Sequence, residues 1–186
     1  VIARFNPRAT ERVLFMAHWD TRPHSDAPTF KGDRTQPVTG ANDGASGVAL
    51  LLGVADVLRR TPPRVGVDLL FVDGEDYGDF SANPPADVLI GSRYYGQHRL
   101  AGPAPLYAVL FDMVADKELQ IYQEGNSLLG APEVVDLVWT VAREVGHASS
   151  FVPSPRHTLT DDHVELQKVG IRAIDVVDFD YPAWHT

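Results

Sequence analysis

Apolar residues gather along the chain in short runs that each close on an acid or a histidine: "RVLFMAH" at 12–18, "VDLLFVD" at 67–73, "LYAVLFD" at 106–112 and "RAIDVVD" at 172–178. Each run has the length of a strand, and apolar residues fill nearly every position, the pattern of a strand buried on both faces. Between the runs the period becomes helical. "SGVALLLGVADVLRR" (46–60) carries apolar residues on more than one side and offers Ser46 as N-cap, so this helix is expected to be well buried. "APEVVDLVWTVAREVG" (131–146) is amphipathic, with Pro132 in its first turn and Gly146 as a stop, and "DHVELQKVG" reads as a shorter helix. Strands alternating with helices predict an α/β fold, a three-layer sandwich whose mainly parallel, mixed central sheet is flanked by helices. Two stretches rich in Pro, Gly and polar residues, 24–40 and 78–89, are too long for simple turns and are expected to shape a site.

Composition narrows the function classes. A chain of 186 residues, 44% hydrophobic and 22% charged, fits one domain over 1–186 with a substantial core. A net charge of -9 argues against nucleic acid and against an anionic membrane surface, both of which call for basic patches, and favours neutral or cationic substrates. With no cysteine, a disulfide or thiolate site is excluded, and any metal must rest on His, Asp and Glu. No apolar run reaches the roughly 18 residues of a membrane span. No signal peptide is visible, although a chain that starts at Val1 leaves room for a targeting segment before it.

In open α/β sheets ligands bind beyond the carboxyl ends of the strands. Those ends are rich in acids and histidines: His18 and Asp20 after the first run; Asp73, Glu75 and Asp76 after the second; Asp112 at the third; Asp175 and Asp178 in and after the last. Asp43, in "TGANDGASG", and His185, in the segment leaving the last strand, are expected at the same rim. Singly, each has a plainer reading. Asp43 suits a turn, His18 a strand end, Asp112 or Asp161 a helix cap, and Trp184 a packed aromatic. His24, His98, His147 and His157 have no such context and are expected at the surface. Together, though, the rim carboxylates would repel one another unless a cation compensates. Without thiolates the natural ion is Zn²⁺, and the natural ligands are Asp43, Asp76 and His185. Glu75, next to Asp76 and facing the other way, is then placed for general acid/base work. A two-metal aminopeptidase that adds His18 and Asp112, with Asp43 bridging, stays open, as does a binding module that keeps the fold.

The motifs "AHWDTRP", "GANDGASGVALLL", "FVDGEDYG", "GSRYYG", "LFDMV", "TDDH" and "AWHT" occur in this order, and over essentially its whole length the chain resembles the bacterial members of the animal-type, zinc-dependent glutaminyl-peptide cyclotransferases. The resemblance implies a zinc-aminopeptidase-like fold and one Zn²⁺ on Asp43, Asp76 and His185. It implies Glu75 as proton shuttle, Asp112 and Asp161 as the acids that orient it, and Trp184 as a wall of the substrate pocket, with Phe80 the nearest match to a second aromatic wall. Substrates would be peptides or proteins with N-terminal Gln, and the enzyme a periplasmic or secreted bacterial monomer. Departures are also visible. Animal members carry His where this chain has Asp175, and usually a disulfide. Members of the family also begin before Val1 and continue past His185 into a further helix, so this chain resembles a trimmed core.

Overall fold

Alternation within the apolar runs divides their side chains between two faces of one sheet. Leu14 and Met16 face one side, Val13 and Ala17 the other. The computed structural model describes residues 1–100 and 102–186. Among these, strands β1 (Ile2–Phe5), β2 (Arg12–His18), β3 (Gly66–Val72), β4 (Ala108–Asp112) and β7 (Ala173–Val177) form a sheet in the order β1-β3-β2-β4-β7. Its pairs are parallel except for β1, which runs antiparallel to β3 at the edge. Two further strands, β5 (Ile121–Gln123) and β6 (Phe151–Pro155), make a small parallel pair. The four apolar runs thus supply the four parallel strands.

Helices cover both faces. On one, Leu14, Met16, Leu70, Val72 and Leu110 pack with Leu166 of α5 (Asp162–Lys168) and Tyr95 of α2 (Ile90–Gln97). On the other, Val13, Ala17 and Leu69 meet Leu51 of α1 (Ala45–Arg60), while Val109, Ile174 and Val176 meet Val134, Val135 and Trp139 of α4 (Pro132–Glu144). A short α3 (Gly125–Gly130) precedes α4. No helix among the described residues is long and apolar enough to cross a membrane.

Two local expectations fail. Ser46 does not cap α1: Gly44 holds that position, and Ser46, in the first turn, donates its hydroxyl to Asn42 O and accepts the N–H of Val114. Nor is α1 well buried all round. It lies on the sheet by one side, where Leu51 is sealed, while Leu52 and Val57 on its outer side are 59% and 54% exposed. Edge strand β1, with Arg4 in the middle, and α2, with its glycines and tyrosines, carry too little apolar periodicity to have been foreseen.

At the end of β2 opposite His18, Arg12 donates to both oxygens of Asp68 and to the carbonyls of Phe5 and Asn6, tying the edge to the sheet interior. Burial would raise the Asp68 pKa, but Arg12 and Arg4 outweigh it and hold the carboxyl below its usual range. Asp68→Asn should cost about 3 kcal/mol, the low end for breaking a buried pair because the Arg4 side is open to water. The wild-type contribution is complete above a carboxylate's ordinary pKa of roughly 4 and is lost as pH falls toward the lowered native value. Urea unfolding at pH 7 and at acid pH checks this: the gap between wild type and variant should narrow in acid, and an equal gap at both would remove the charge pair as its cause.

Candidate active site

The strand order fixes where polar side chains can meet. β3 and β4 flank β2 on opposite sides, so the connections diverge and a crevice opens beyond the carboxyl ends. β2 brings His18 and then Asp20, the turn after β3 brings Glu75 and Asp76, and β4 ends on Asp112. Asp43 enters from the loop before α1, Asp161 from the N-cap of α5, and His185 from the segment after β7. A cavity of about 650 Å³ is lined by Asp43, Glu75, Asp76, Asp112, Asp161 and His185, with Phe80 and Trp184 among its walls. His18 is fully buried behind them.

Two donor clusters share Asp43, each with its ligand-type atoms within 4.8 Å of one another: Asp43, Asp76 and His185, and His18, Asp43 and Asp112. They differ in how far the atoms that face one another are satisfied, although His18 Nδ1, on the far side of its ring, also lacks a partner. His18 Nε2 lies 3.0 Å from Asp112 Oδ1, a hydrogen bond, and 3.2 Å from Asp43 Oδ1. In the other cluster His185 Nε2 stands 3.3 Å from Asp43 Oδ2 and 3.5 Å from Asp76 Oδ2, and Asp76 Oδ2 is buried with no hydrogen-bond partner. A buried carboxylate oxygen left unpaired beside a second carboxylate is costly. One imidazole and two carboxylates converging around that gap form an N/O donor set suited to Zn²⁺.

The loops that carry these donors are clipped in place. Asp20 accepts the backbone N–H groups of Glu75 at 3.2 Å and Asp76 at 2.9 Å, fixing the acidic turn against the end of β2. Gly44, at φ 87°, lies so close to the Asp20 carbonyl that a Cβ would sit 2.3 Å from it, so only glycine lets the Asp43 loop approach. His185 has a left-handed backbone (φ 53°), receives the Ser25 hydroxyl on its carbonyl, and stacks on Trp184 at 3.8 Å between ring centres. Left-handed conformations are uncommon for histidine and persist where surrounding contacts hold them.

Charge divides the acids into two groups. Burial would raise Asp43, but His18 and His185 outweigh it and hold its carboxyl far below the usual range. Burial likewise opposes the charged form of His185, yet Asp43 and Asp76 push it up to about 10. Glu75 is raised well above normal by burial and then by Asp161; Asp112 is raised by burial in spite of His18; Asp161 is raised to about 7 by burial and Asp112. Asp175 is raised by burial and its neighbouring acids, and neither of its oxygens has a partner.

Not every rim acid reaches the cavity. Asp73 is exposed, Asp175 is sealed within β7, and Asp178 accepts the N–H of Gln120 instead. They miss it because a strand's alternate residues face opposite sides and the chain bends differently after each strand. Asp161 caps α5 and also lines the cavity. His24, His98, His147 and His157 are exposed. Two residues beside the site escaped sequence reasoning: Arg22, which is buried, and Asp26, its ion-pair partner. Their i, i+4 spacing inside a polar stretch looks like a solvent pair, and the only signal was their place just after "AHWD". The buried pair Glu124 and His163 was also unforeseen; Glu124 caps α3 and accepts the N–H of Leu159, bracing the loop that leads to Asp161.

Comparison with known proteins gives three informative likenesses. A leucine aminopeptidase precursor from Bacteroides thetaiotaomicron matches at a TM-score of 0.92 and 32% identity, covering 100% of this chain and 66% of that one. A glutaminyl cyclase from the same organism, solved with N-acetylhistamine, matches at 0.91 and 33% identity, covering 100% and 67%. The alkaline phosphatase isozyme conversion protein of Escherichia coli (strain K12) is 32% identical over 83 residues, 44% of this chain and 24% of that protein. The chain therefore spans about two-thirds of the length of these solved neighbours, and the matched stretch about a quarter of the curated relative. Neighbours of both activities share the fold of this chain, a mainly parallel sheet between helices. The sequence model of Peptidase family M28 matches residues 1–186, and the chain belongs to that family.

Proposed function

We propose that the chain is a zinc-dependent glutaminyl-peptide cyclotransferase, converting the N-terminal Gln of peptides or proteins to pyroglutamate with release of ammonia. The observation that carries this reading is the unequal satisfaction of the two donor clusters. The pair of His18 and Asp112 closes on itself at 3.0 Å, whereas Asp76 Oδ2 is left without a partner opposite His185. That asymmetry favours a single ion on Asp43, Asp76 and His185. Similarity to solved glutaminyl cyclases supports the same reading.

Bound there, Zn²⁺ supplies Lewis-acid polarisation of the substrate's side-chain carbonyl. The remaining work falls to the chain's own residues. Glu75, raised by burial and by Asp161, is a weaker acid than an ordinary carboxylate and so a stronger proton acceptor once ionised, as a proton shuttle requires. It takes a proton from the α-amine as that nitrogen bonds to the side-chain amide carbon, and returns it to the amide nitrogen as the carbon–nitrogen bond breaks and ammonia leaves. Asp161 keeps Glu75 from ionising too readily, and Asp112 raises Asp161 in turn. Phe80 and Trp184 wall a cavity in which the Gln side chain can fold back on its own amine, so that much of the rate comes from holding one conformation.

A second reading has its own support. His18, Asp43 and Asp112 are themselves a donor trio, and Zn-dependent exopeptidases are among the neighbours. A two-metal aminopeptidase would place a second ion there, with Glu75 activating water. Metal content per chain, measured beside the products from a Gln-initiated peptide and from an aminoacyl amide, separates the two. One zinc with pyroglutamate is expected; two ions with hydrolysis and no pyroglutamate would replace the cyclase by the peptidase.

Glu75 and Asp76 are neighbours with different jobs, and substitution should separate them. Glu75→Gln is expected to keep zinc and lower cyclisation by about 10²–10⁴-fold, while Asp76→Ala loses zinc outright. Ammonia release and bound metal, assayed on the same preparations, check both halves; a Glu75→Gln protein without zinc would remove the shuttle assignment.

Trp184 is stacked on His185 and faces the cavity. Trp184→Ala should raise KM for a Gln-initiated peptide more than it lowers kcat, the signature of lost uniform binding. An unchanged KM in a folded variant would return Trp184 to plain packing.

A further inference from the structure

We propose that Asp26 is the positioning residue that presents His185 to the metal, and that Arg22 couples this presentation to Asp76, so that one guanidinium holds two of the three donors. The inference rests on the metal site of the proposed function and extends it to two residues outside the donor set.

An imidazole can offer either nitrogen, and the proton on one decides which lone pair is free. In His185, Nδ1 faces Asp26 Oδ1 at 2.5 Å, while Nε2 faces Asp43 and Asp76. A proton donated from Nδ1 to Asp26 leaves the Nε2 lone pair aimed at the two carboxylates, which is how metal-ligating histidines are commonly oriented. The other oxygen of Asp26 accepts from Arg22 twice, from Nε at 2.9 Å and Nη2 at 2.6 Å. The remaining arm of the same guanidinium, Nη1, donates to Asp76 O at 2.9 Å, to Asp76 Oδ1 at 3.3 Å and to Gly78 O at 3.0 Å. Arg22 therefore spans from the carboxylate behind His185 to the carboxylate and backbone of Asp76.

The plainer alternative is a surface ion pair, since the Asp26 side chain is 44% exposed. Such pairs contribute little. Against that, both groups that Asp26 touches are buried: the side chains of Arg22 and His185 are 9% and 6% exposed. Ser25, the preceding residue, also donates its hydroxyl to the His185 carbonyl. Two successive residues of one loop thus grip the backbone and the ring of the same histidine, an arrangement that solvent pairing does not explain. The planar fork of arginine is needed to meet Asp26 and Asp76 in different directions at once.

The test is zinc affinity, by chelator competition on the whole 186-residue chain. Asp26→Ala should weaken zinc about 10–100-fold. Asp26→Asn, whose amide oxygen still accepts from Nδ1, should lose less. Arg22→Lys should also weaken zinc, because an ammonium cannot span both carboxylates. In all three the rise in melting temperature on adding zinc should be smaller than in wild type. A merely structural role predicts the reverse, a lower metal-free melting temperature with zinc affinity intact, and that result overturns the proposal. Should Asp26→Ala fail to fold, ¹⁵N-histidine spectra of the zinc-loaded wild type read the same contact. Metal on Nε2 with the proton kept on Nδ1 is expected; metal on Nδ1 overturns it. Pyroglutamate assays run alongside keep the two readings apart. Wild type that binds zinc and makes no pyroglutamate sinks the cyclase and leaves the positioning role, whereas Asp26→Ala with full affinity and full cyclisation sinks the positioning role and leaves the cyclase.

Discussion

Negative charge brought together away from water governs this molecule. Among the described residues seven carboxylates line the cavity, and the only basic side chains in its walls are Arg22 and His185. Two like charges 4 Å apart cost about 4 kcal/mol at an effective dielectric near 20, so such a rim cannot stay fully ionised without compensation. The acids respond by dividing. Asp43, between two histidines, and Asp26, beside Arg22, are held below the ordinary carboxylate range, whereas Glu75, Asp112 and Asp161 are pushed above it by burial and by neighbouring acids. A site that needs anions to hold a cation and a weaker acid to move a proton obtains both from this one partition.

The scaffold keeps the charges close by making their backbones rigid rather than by attracting them. β2, β3, β4 and β7 are sealed in apolar layers on both faces, so the positions where they end are fixed to the accuracy of a packed core. Beyond those ends, polar groups take over. Asp20 grips the Glu75–Asp76 turn through two backbone N–H groups, Ser46 joins Asn42 to Val114, and Glu124 braces the approach to Asp161. Each clip consumes an acceptor that would otherwise lie buried and unpaired, so the same bonds that satisfy the loops aim the reactive side chains.

How much of this the sequence shows depends on whether a signal is periodic or spatial. The parallel strands and α4 were legible because burial on two faces, or on one helical stripe, writes itself into consecutive residues. Asp43, Glu75, Asp76, Asp112 and His185 could be placed at one rim because strand ends in such a sheet share an edge. Arg22 and Asp26 could not, since a buried i, i+4 ion pair in a polar loop reads the same as an exposed one until residue 185 is known to pack on it. His163 was hidden for a similar reason: it sits in a short helix, and its carboxylate partner is Glu124, a long way off in sequence. The misjudged exposure of α1 is a matter of layers, because an apolar surface with no neighbour looks the same in sequence as one with a neighbour.

Exopeptidase and cyclase neighbours share this frame, and the physical difference between the two chemistries is narrow. A peptidase needs water activated at the carbonyl, while a cyclase needs that place filled by the substrate's own amine. In this chain the decision turns on the pair of His18 and Asp112. While His18 Nε2 stays hydrogen-bonded to Asp112 and beside Asp43, the imidazole acts as a buried counter-charge that holds Asp43 ionised, and Asp112 keeps its hold on Asp161. Opening that pair to admit a second ion would draw Asp112 away from Asp161, whose proton affinity it raises, and Asp161 in turn raises Glu75. Room for a second ion and the proton affinity of Glu75 therefore meet at one 3.0 Å contact.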